Sequence, residues 1–248
     1  MIRHIKYTLL SLALVTVVNA HAQMLIPVKH FDKVIVSPHI QATFIEGDKE
    51  SVNVEKSTVD KSKIHIEVNG ETLRIYLEGA KDIEKNETDY KNGYKEKYSI
   101  YTGTVITAVI IYKSLHELSL RGEEVHVCKS VLKGEKFNLK IYGESDVTLN
   151  AVSLSELATT IYGESHLKIL SGSVKSQKYV AYGEGKINSL AVSGNRSILT
   201  AYGEADFKVN VSDEIKITAF GEASVHYKGS PTIKKGLHFG DLNIEKMD

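Results

Sequence analysis

The residues best suited to chemistry are aromatic and acidic side chains on either side of a recurring glycine. In five repeats an aromatic residue precedes the glycine and a glutamate follows it: Tyr142, Tyr162, Tyr182, Tyr202 and Phe220, with Glu144, Glu164, Glu184, Glu204 and Glu222. Rings beside carboxylates could receive sugar rings or a cation. Alternatively, aligned tyrosines could stabilise the pairing of neighbouring strands by roughly 0.2–1 kcal/mol each, with the glutamates solvated. We favour this structural role for the rings.

The spacing of these triplets predicts a repeat architecture. Successive glycines are separated by 21, 20, 20, 20 and 18 residues, and Phe239-Gly240-Asp241 follows as a decayed member after a further 19; the glycines are Gly122, Gly143, Gly163, Gly183, Gly203 and Gly221. Residues at even offsets from each glycine are mostly apolar or small, so one side of a long bent strand should face inward. A small residue two positions after the glycine suits a sharp corner, which predicts that the chain turns there.

A unit of about 20 residues with one apolar side cannot bury that side alone. Coils stacked about 4.8 Å apart would bury it against their neighbours and pair the backbone in register. A propeller needs about 40 residues per blade, and the Leu/Asn pattern of leucine-rich repeats is missing. The sequence therefore predicts an all-β solenoid, with the flanking residues aligned outward in two rows. We call them the aromatic column (Tyr142, Tyr162, Tyr182, Tyr202, Phe220) and the acidic column (Glu123, Glu144, Glu164, Glu184, Glu204, Glu222).

Export is predicted by the first 22 residues. Arg3 and Lys6 form a basic start, an apolar stretch runs from 7 to 18, and Ala20-His21-Ala22 resembles a signal-peptidase site, which would leave Gln23 as the mature N-terminus. The apolar run is too short for a comfortable transmembrane span. Since no cysteine lies near the cleavage site, we expect no lipoprotein. The expected location is the periplasm, the cell surface or the extracellular space.

The mature chain is divided into three parts by its patterns. Residues 23–112 are predicted to be an irregular β region continuous with the solenoid, with a hairpin at Asn69-Gly70 and an exposed charged loop over 80–100. Residues 113–228 carry the regular repeats. Residues 229–248 are predicted to cap the last coil, because Pro231 cannot donate to a strand ladder and Lys234-Lys235 adds charge.

Charge and composition exclude several function classes. Removing Arg3 and Lys6 leaves 29 basic and 31 acidic residues of the original 31 and 31, without the basic excess expected of a nucleic-acid binder. Cys128, the single cysteine, cannot form an internal disulfide and is predicted to be a buried strand residue. The histidines His126, His166 and His226 lie at different offsets from their glycines and are interpreted as lone surface residues. We expect no metal site, no cofactor and no catalytic residues.

The sequence also resembles a known family of exported proteins common in Bacteroidetes, the "putative auto-transporter adhesin head" or GIN domain, a domain of unknown function. The resemblance covers about residues 31–235. It rests on the glycine corners and on four segments, namely Phe31-Asp32-Lys33-Val34-Ile35-Val36, Ile45-Glu46-Gly47-Asp48, Gly70-Glu71-Thr72-Leu73-Arg74-Ile75 and Tyr227-Lys228-Gly229-Ser230-Pro231-Thr232-Ile233. It implies a right-handed parallel β-helix related in shape to pectate lyases, and an adhesive role. The commonest family corner is Gly-Ser-Gly, whereas here it is Gly-Glu-small after an aromatic residue.

Two function classes follow from these observations. The favoured class is a non-enzymatic structural or adhesive envelope protein, whose partner would be a surface ligand, a glycan or a protein, and which could form homo-oligomers through its sides. The alternative is a polysaccharide-degrading β-helix lyase or hydrolase. A hydrolase needs a pair of carboxylates at one place in a cleft, whereas the glutamates here repeat evenly along the chain.

Overall fold

The computed structural model describes residues 24–82, 86–91 and 94–248, with the side chains of 83–98 left out. The predicted signal peptide lies outside the described residues. The described elements are one 3-10 turn at Lys61–Lys63 and the strands β1 (Met24–Pro27), β2 (Lys33–Val36), β3 (Ile40–Glu46), β4 (Ser51–Ser57), β5 (Ile64–Asn69), β6 (Thr72–Leu77), β7 (Asn86–Lys91), β8 (Tyr94–Ser99), β9 (Ile106–Tyr112), β10 (Glu117–Gly122), β11 (Val125–Gly143), β12 (Asp146–Gly163), β13 (His166–Ile169), β14 (Gly172–Lys228), β15 (Thr232–Phe239) and β16 (Leu242–Lys246).

The regular half of the chain is a β-solenoid, as the repeat predicts. It has about six turns of roughly 20 residues. Strands β11, β12 and β14 pair in parallel, and Tyr142 lies opposite Tyr162, which lies opposite Tyr182. The register follows from the apolar residues at even offsets, such as Leu139, Ile141, Leu157 and Ile161, all fully buried in the core.

From Gly143 onward, a side chain at each glycine corner would collide with the preceding coil. Gly163 has φ of +109°, and a Cβ there would lie 2.3 Å from the carbonyl oxygen of Gly143. The preceding coil, and not only the inside of the bend, therefore excludes a side chain. The predicted small inward residues are buried, and Ser165 Oγ donates to Gly143 O at 2.8 Å and accepts from Ser145 N at 3.0 Å.

The N-terminal region joins the same sheet. Strand β2 pairs in parallel with β6 and β10, β10 pairs with β11, and β3 pairs with both β9 and β11. Strands β1 and β4 instead run antiparallel, β1 to β4 and β4 to β9. The predicted hairpin is present between β5 and β6, where Gly70 has φ of +59°.

The segment predicted as a charged loop over 80–100 contains a second hairpin. Strands β7 and β8 pair antiparallel with each other in a separate two-stranded sheet. The sequence carries one sign of this hairpin, the Asn92-Gly93 pair between the two strands. The pair is easily missed because Lys81 to Lys97 is so charged that it offers no apolar face.

Residues 229–248 form a last partial coil. Strands β15 and β16 both pair in parallel with β14. Lys235 lies opposite the inward Ile217, and His238 lies opposite the inward Ala219. Lys235 and His238 are both exposed, and Ile233, Leu242 and Ile244 are only partly buried, so the core ends at this final layer.

Candidate binding face

The aromatic column is a continuous stack of rings on one side of the solenoid. Neighbouring ring centroids from Tyr142 to Phe220 are 4.9, 4.8, 4.8 and 5.2 Å apart, and the rings lie within 4° of parallel. Phe239 extends the stack at 5.7 Å with a tilt of 23°, so the decayed last triplet still supplies a ring. At the other end the guanidinium of Arg121 lies 5.4 Å from the centroid of the Tyr142 ring. In-register coils place each ring directly on the next.

The stacking determines which parts of the rings a ligand can contact. Inside the column both faces of each tyrosine are covered by neighbouring rings, while Tyr162, Tyr182 and Tyr202 keep 41%, 38% and 41% of their surface exposed. What remains exposed is the ring edge and the phenol hydroxyl. The rings therefore cannot serve as a flat surface on which sugar rings stack, and the column offers hydrogen bonds and positively polarised ring edges instead.

The acidic column runs beside the aromatic column. All six glutamates are exposed. None of these carboxylates has an ion-pair partner among the residues that the structure describes. Like charges one coil apart repel by roughly 1 kcal/mol or less each in water. The column is thus a row of exposed carboxylates on a rigid support, although Lys186 lines the same groove as Glu184, Glu204 and Glu222.

Near its C-terminal end the acidic column forms one wall of a groove of about 360 Å³, lined by Glu184, Glu204, Glu222, Asp206 and His226 among others. The imidazole of His226 lies between two carboxylates, 3.8 Å from Asp206 and 3.4 Å from Glu245. In the described part of the chain, no group of three or more His, Cys, Asp or Glu side chains is placed to hold a metal ion.

The titratable groups with large pKa shifts lie inside the solenoid. Burial lowers the pKa of His126 to about 4 and raises that of Cys128 to about 11. Burial likewise raises the pKa of Tyr112 and of Tyr179. Cys128 is buried, as predicted.

The interpretation of His126 as a surface residue is wrong. It lies four residues after Gly122, at an inward offset, and its side chain is fully buried. Its Nδ1 accepts a hydrogen bond from the Ala42 N–H at 3.3 Å. The first repeat also buries Glu124 where later repeats have a small residue, and desolvation raises the pKa of this carboxyl.

The structure has a second concave surface that the sequence pattern did not predict. It is a groove of about 610 Å³ whose walls include Ser153, Ser173, Ser193, Ser212 and Ser230, and we call it the serine groove. The signal that could have revealed it is a serine recurring after 20, 20, 19 and 18 residues. Because serine is common in turns, this second period is easily overlooked beside the aromatic-glycine-acid triplets.

Comparison with known proteins shows which proteins share this fold. A family model described as "Putative auto-transporter adhesin, head GIN domain" matches residues 30–231. No curated protein matches the chain. A crystal structure of a putative adhesin from Bacteroides fragilis superposes with a TM-score of 0.73 at 18% identity, covering 91% of this chain and 96% of the other.

Two further crystal structures have the same fold. A putative lipid binding protein from Parabacteroides distasonis gives a TM-score of 0.66 at 18% identity over 91% of this chain and 96% of its own. A putative adhesin from Parabacteroides merdae gives 0.64 at 15% identity over 92% and 96%. Among the residues that the structure describes, no helix is long and apolar enough to cross a bilayer.

Proposed function

The chain belongs to the family described as "Putative auto-transporter adhesin, head GIN domain", and from that premise we propose that it is an exported, non-enzymatic surface protein that binds a cationic partner. The carboxylates of the acidic column bind the cationic groups, and the tyrosine hydroxyls of the aromatic column add hydrogen-bond acceptors. The partner is a glycan or protein of a surface that carries amino or guanidinium groups. One observation carries the proposal, namely that the acidic column is a row of exposed carboxylates, without ion-pair partners among the described residues, along a rigid stack of rings.

Geometry supports binding to a repetitive surface. Adjacent rings are 4.8–5.2 Å apart between Tyr142 and Phe220. The acidic column follows the same coil repeat. Many equivalent weak contacts along a line add up when the partner also repeats, because each later contact forms at a high effective concentration. Exposed ion pairs contribute about 0.2–1 kcal/mol each, so such a surface needs several of them.

The positions of the groups with shifted pKa values support a role without catalysis. Catalytic acids and bases usually lie in clefts with shifted pKa values. In the described residues, the strongly shifted groups His126, Cys128, Tyr112 and Tyr179 are buried in the core and line neither groove. The polysaccharide-degrading alternative would have to draw its acid-base pair from Asp206, His226 and the glutamates of the groove beside the acidic column.

Export is supported by the family and by the basic-apolar-small pattern of residues 1–22. N-terminal sequencing of the protein recovered from the cell envelope should begin at Gln23. Recovery of the uncleaved chain from the cytoplasm would contradict export.

Binding is tested with the purified chain from residue 23 to 248 on an array of envelope and host glycans and proteins. The array should include chitosan oligomers and basic proteins, with neutral and anionic ligands of the same size as controls. We expect retention on cationic ligands that falls as salt is added. Equal retention on neutral ligands, or no retention on any, would contradict the proposal.

A further inference from the structure

Neighbouring tyrosines of the aromatic column are close and aligned enough to react with one another. The ring centroids of Tyr162 and Tyr182 are 4.8 Å apart with an angle of 2° between the rings, and those of Tyr182 and Tyr202 are 4.8 Å apart at 4°. Because the coils pair in register, each ring lies directly over the same ring of the preceding coil. The carbon beside each phenol oxygen therefore lies about one coil repeat from the same carbon of its neighbour.

The edges of these rings are accessible from solvent. Tyr162, Tyr182 and Tyr202 are partly exposed, and the exposed part includes the phenol edge, since the ring faces are covered by the stack. Tyr112 and Tyr179, by contrast, are buried. Outside the column, no two tyrosine rings stack on each other among the side chains that the structure describes. A reaction that needs two exposed phenols side by side is therefore directed to the column.

The composition of the chain also directs oxidation to tyrosine. Tryptophan and thiols are the side chains that compete with tyrosine as donors of a single electron. The chain has no tryptophan, and its one cysteine, Cys128, is buried. Burial raises the pKa of this thiol, so the readily oxidised thiolate is scarce. A radical formed at the surface of this protein is therefore expected to reside on a tyrosine.

From these observations we propose that the aromatic column is a covalent modification site, at which a one-electron oxidant joins stacked tyrosines as dityrosine. The oxidant class is hydrogen peroxide with a haem peroxidase. Each of two phenols gives up one electron and its hydroxyl proton, and the two radicals form a carbon–carbon bond between the ring carbons beside the oxygens. Each bonded carbon then loses its proton and each oxygen regains one. One hydrogen peroxide takes up the two electrons and two protons and becomes two water molecules.

Such a bond would link successive coils covalently. Tyr182 and Tyr202 are 20 residues apart in the chain, and the single Cys128 cannot form an internal disulfide. By the loop-closure argument used for disulfides, a bond across a loop of this length restricts the unfolded chain and should raise Tm by about 6–12 °C in a protein of this size. This modification does not depend on binding of a cationic partner, so the two proposals can fail separately.

Coupling within one chain is favoured over coupling between chains. The second phenol is held one coil away, at an effective concentration that a dilute second molecule does not reach. The exposed acidic column beside the rings also repels the same column of another copy. Phe220, which stacks on Tyr202 and has no phenol oxygen, ends the reactive part of the column.

The test is treatment of the dilute chain 23–248 with hydrogen peroxide and a haem peroxidase, with free tyrosine as the control for active oxidant. Dityrosine is measured by its fluorescence, and each bond lowers the intact mass by two hydrogens, whereas methionine oxidation adds oxygen. A denaturing gel separates bonds within one chain from bonds between chains. Trypsin releases Tyr182 in peptide 179–186 and Tyr202 in peptide 197–208, so these two peptides recovered as one species locate the bond.

Two double variants are compared with the wild type. Tyr162→Phe/Tyr202→Phe leaves no two neighbouring phenols but keeps every ring, and it should fold because Phe220 already stacks on Tyr202 at 5.2 Å. Tyr76→Phe/Tyr227→Phe is the matched control, since it removes the same number of phenols from half-buried positions outside the column. Thermal melts before treatment check folding, and melts after treatment measure the effect of the bond.

We expect dityrosine within single chains of the wild type and of the control variant, located in the column, with Tm raised by about 6–12 °C. The variant Tyr162→Phe/Tyr202→Phe should lose nearly all of the dityrosine and show no rise in Tm. The proposal is overturned if the wild type forms no dityrosine, or if the bonds join different chains or tyrosines outside the column. It is also overturned if Tyr162→Phe/Tyr202→Phe forms as much dityrosine as the wild type. A coupled protein with unchanged Tm would refute the covalent link between coils as a stabilising one.

Discussion

Replacing Gly163 by alanine tests the corner geometry on which the alignment of both columns depends. Two costs add at this position. A non-glycine residue in a sparsely populated region at φ of +109° costs about 1–3 kcal/mol. A Cβ that lies 2.3 Å from the Gly143 carbonyl oxygen must also push two paired coils apart, which costs a further 1–3 kcal/mol or so. The expected destabilisation is therefore about 2–6 kcal/mol.

Gly134 provides the matched control. It has φ of +142°, but an added Cβ would meet no atom within 4 Å. Gly134→Ala therefore carries the backbone cost alone, about 1–3 kcal/mol. Gly183→Ala should fall between the two, because its Cβ would lie 2.9 Å from the Gly163 carbonyl oxygen.

The assay is urea unfolding followed by circular dichroism, with thermal melts in parallel. In a chain of this size each kcal/mol lowers Tm by about 2–4 °C. We expect the order of destabilisation Gly163→Ala, then Gly183→Ala, then Gly134→Ala. The collision argument is refuted if Gly163→Ala is no more destabilising than Gly134→Ala.

Three further predictions concern charge, pH and the C-terminal coil. Replacing Glu144, Glu164, Glu184 and Glu204 by Gln should keep the fold and raise Tm slightly by removing repulsion; a lower Tm, together with a wild type that responds to a chelator, would instead reveal a bound cation. Burial lowers the pKa of His126 to about 4, so as pH falls this histidine is protonated in the unfolded chain before it is protonated in the folded chain. Stability should therefore be full above pH about 6.5 and fall by about 3 kcal/mol as pH drops towards 4; His126→Gln should lack this loss, and an equal loss in the variant would show that another group is responsible. Deleting residues 229–248 should make the protein aggregate or assemble end to end, as measured by light scattering, because Lys235 and His238 would no longer pair with Ile217 and Ala219 of the last regular coil. A truncated chain that keeps the size of the full-length protein would disprove capping.

The period of the sequence was sufficient to predict the solenoid, because the mostly apolar or small residues at even offsets form one face that stacked coils bury. The same period predicted that Gly163 and Gly183 lie at corners and that the tyrosines align in a column. It could not show that the carbonyl of the preceding coil excludes a side chain, because that contact joins residues 20 apart.

Other features depend on contacts between residues far apart in the chain, which a periodic sequence pattern does not reveal. His126 was judged by its residue type and not by its inward offset, so its burial was missed. The hairpin β7–β8 lacks an apolar face, and its one sequence signal is the Asn92-Gly93 pair between the strands. The amide of Gln177 takes the space of a side chain at Gly194, and this contact becomes visible only when the coils are stacked.

The most direct test of the proposed function is the affinity of the strongest cationic ligand for wild-type protein and for the variant with Gln at 144, 164, 184 and 204, each at low and high salt. With four exposed ion pairs lost, at about 0.2–1 kcal/mol each, we expect the variant to bind at least about fourfold more weakly at low salt. The difference should shrink at high salt, where screening removes the contribution of the carboxylates. Equal affinity of the two proteins at low salt would contradict binding through the acidic column.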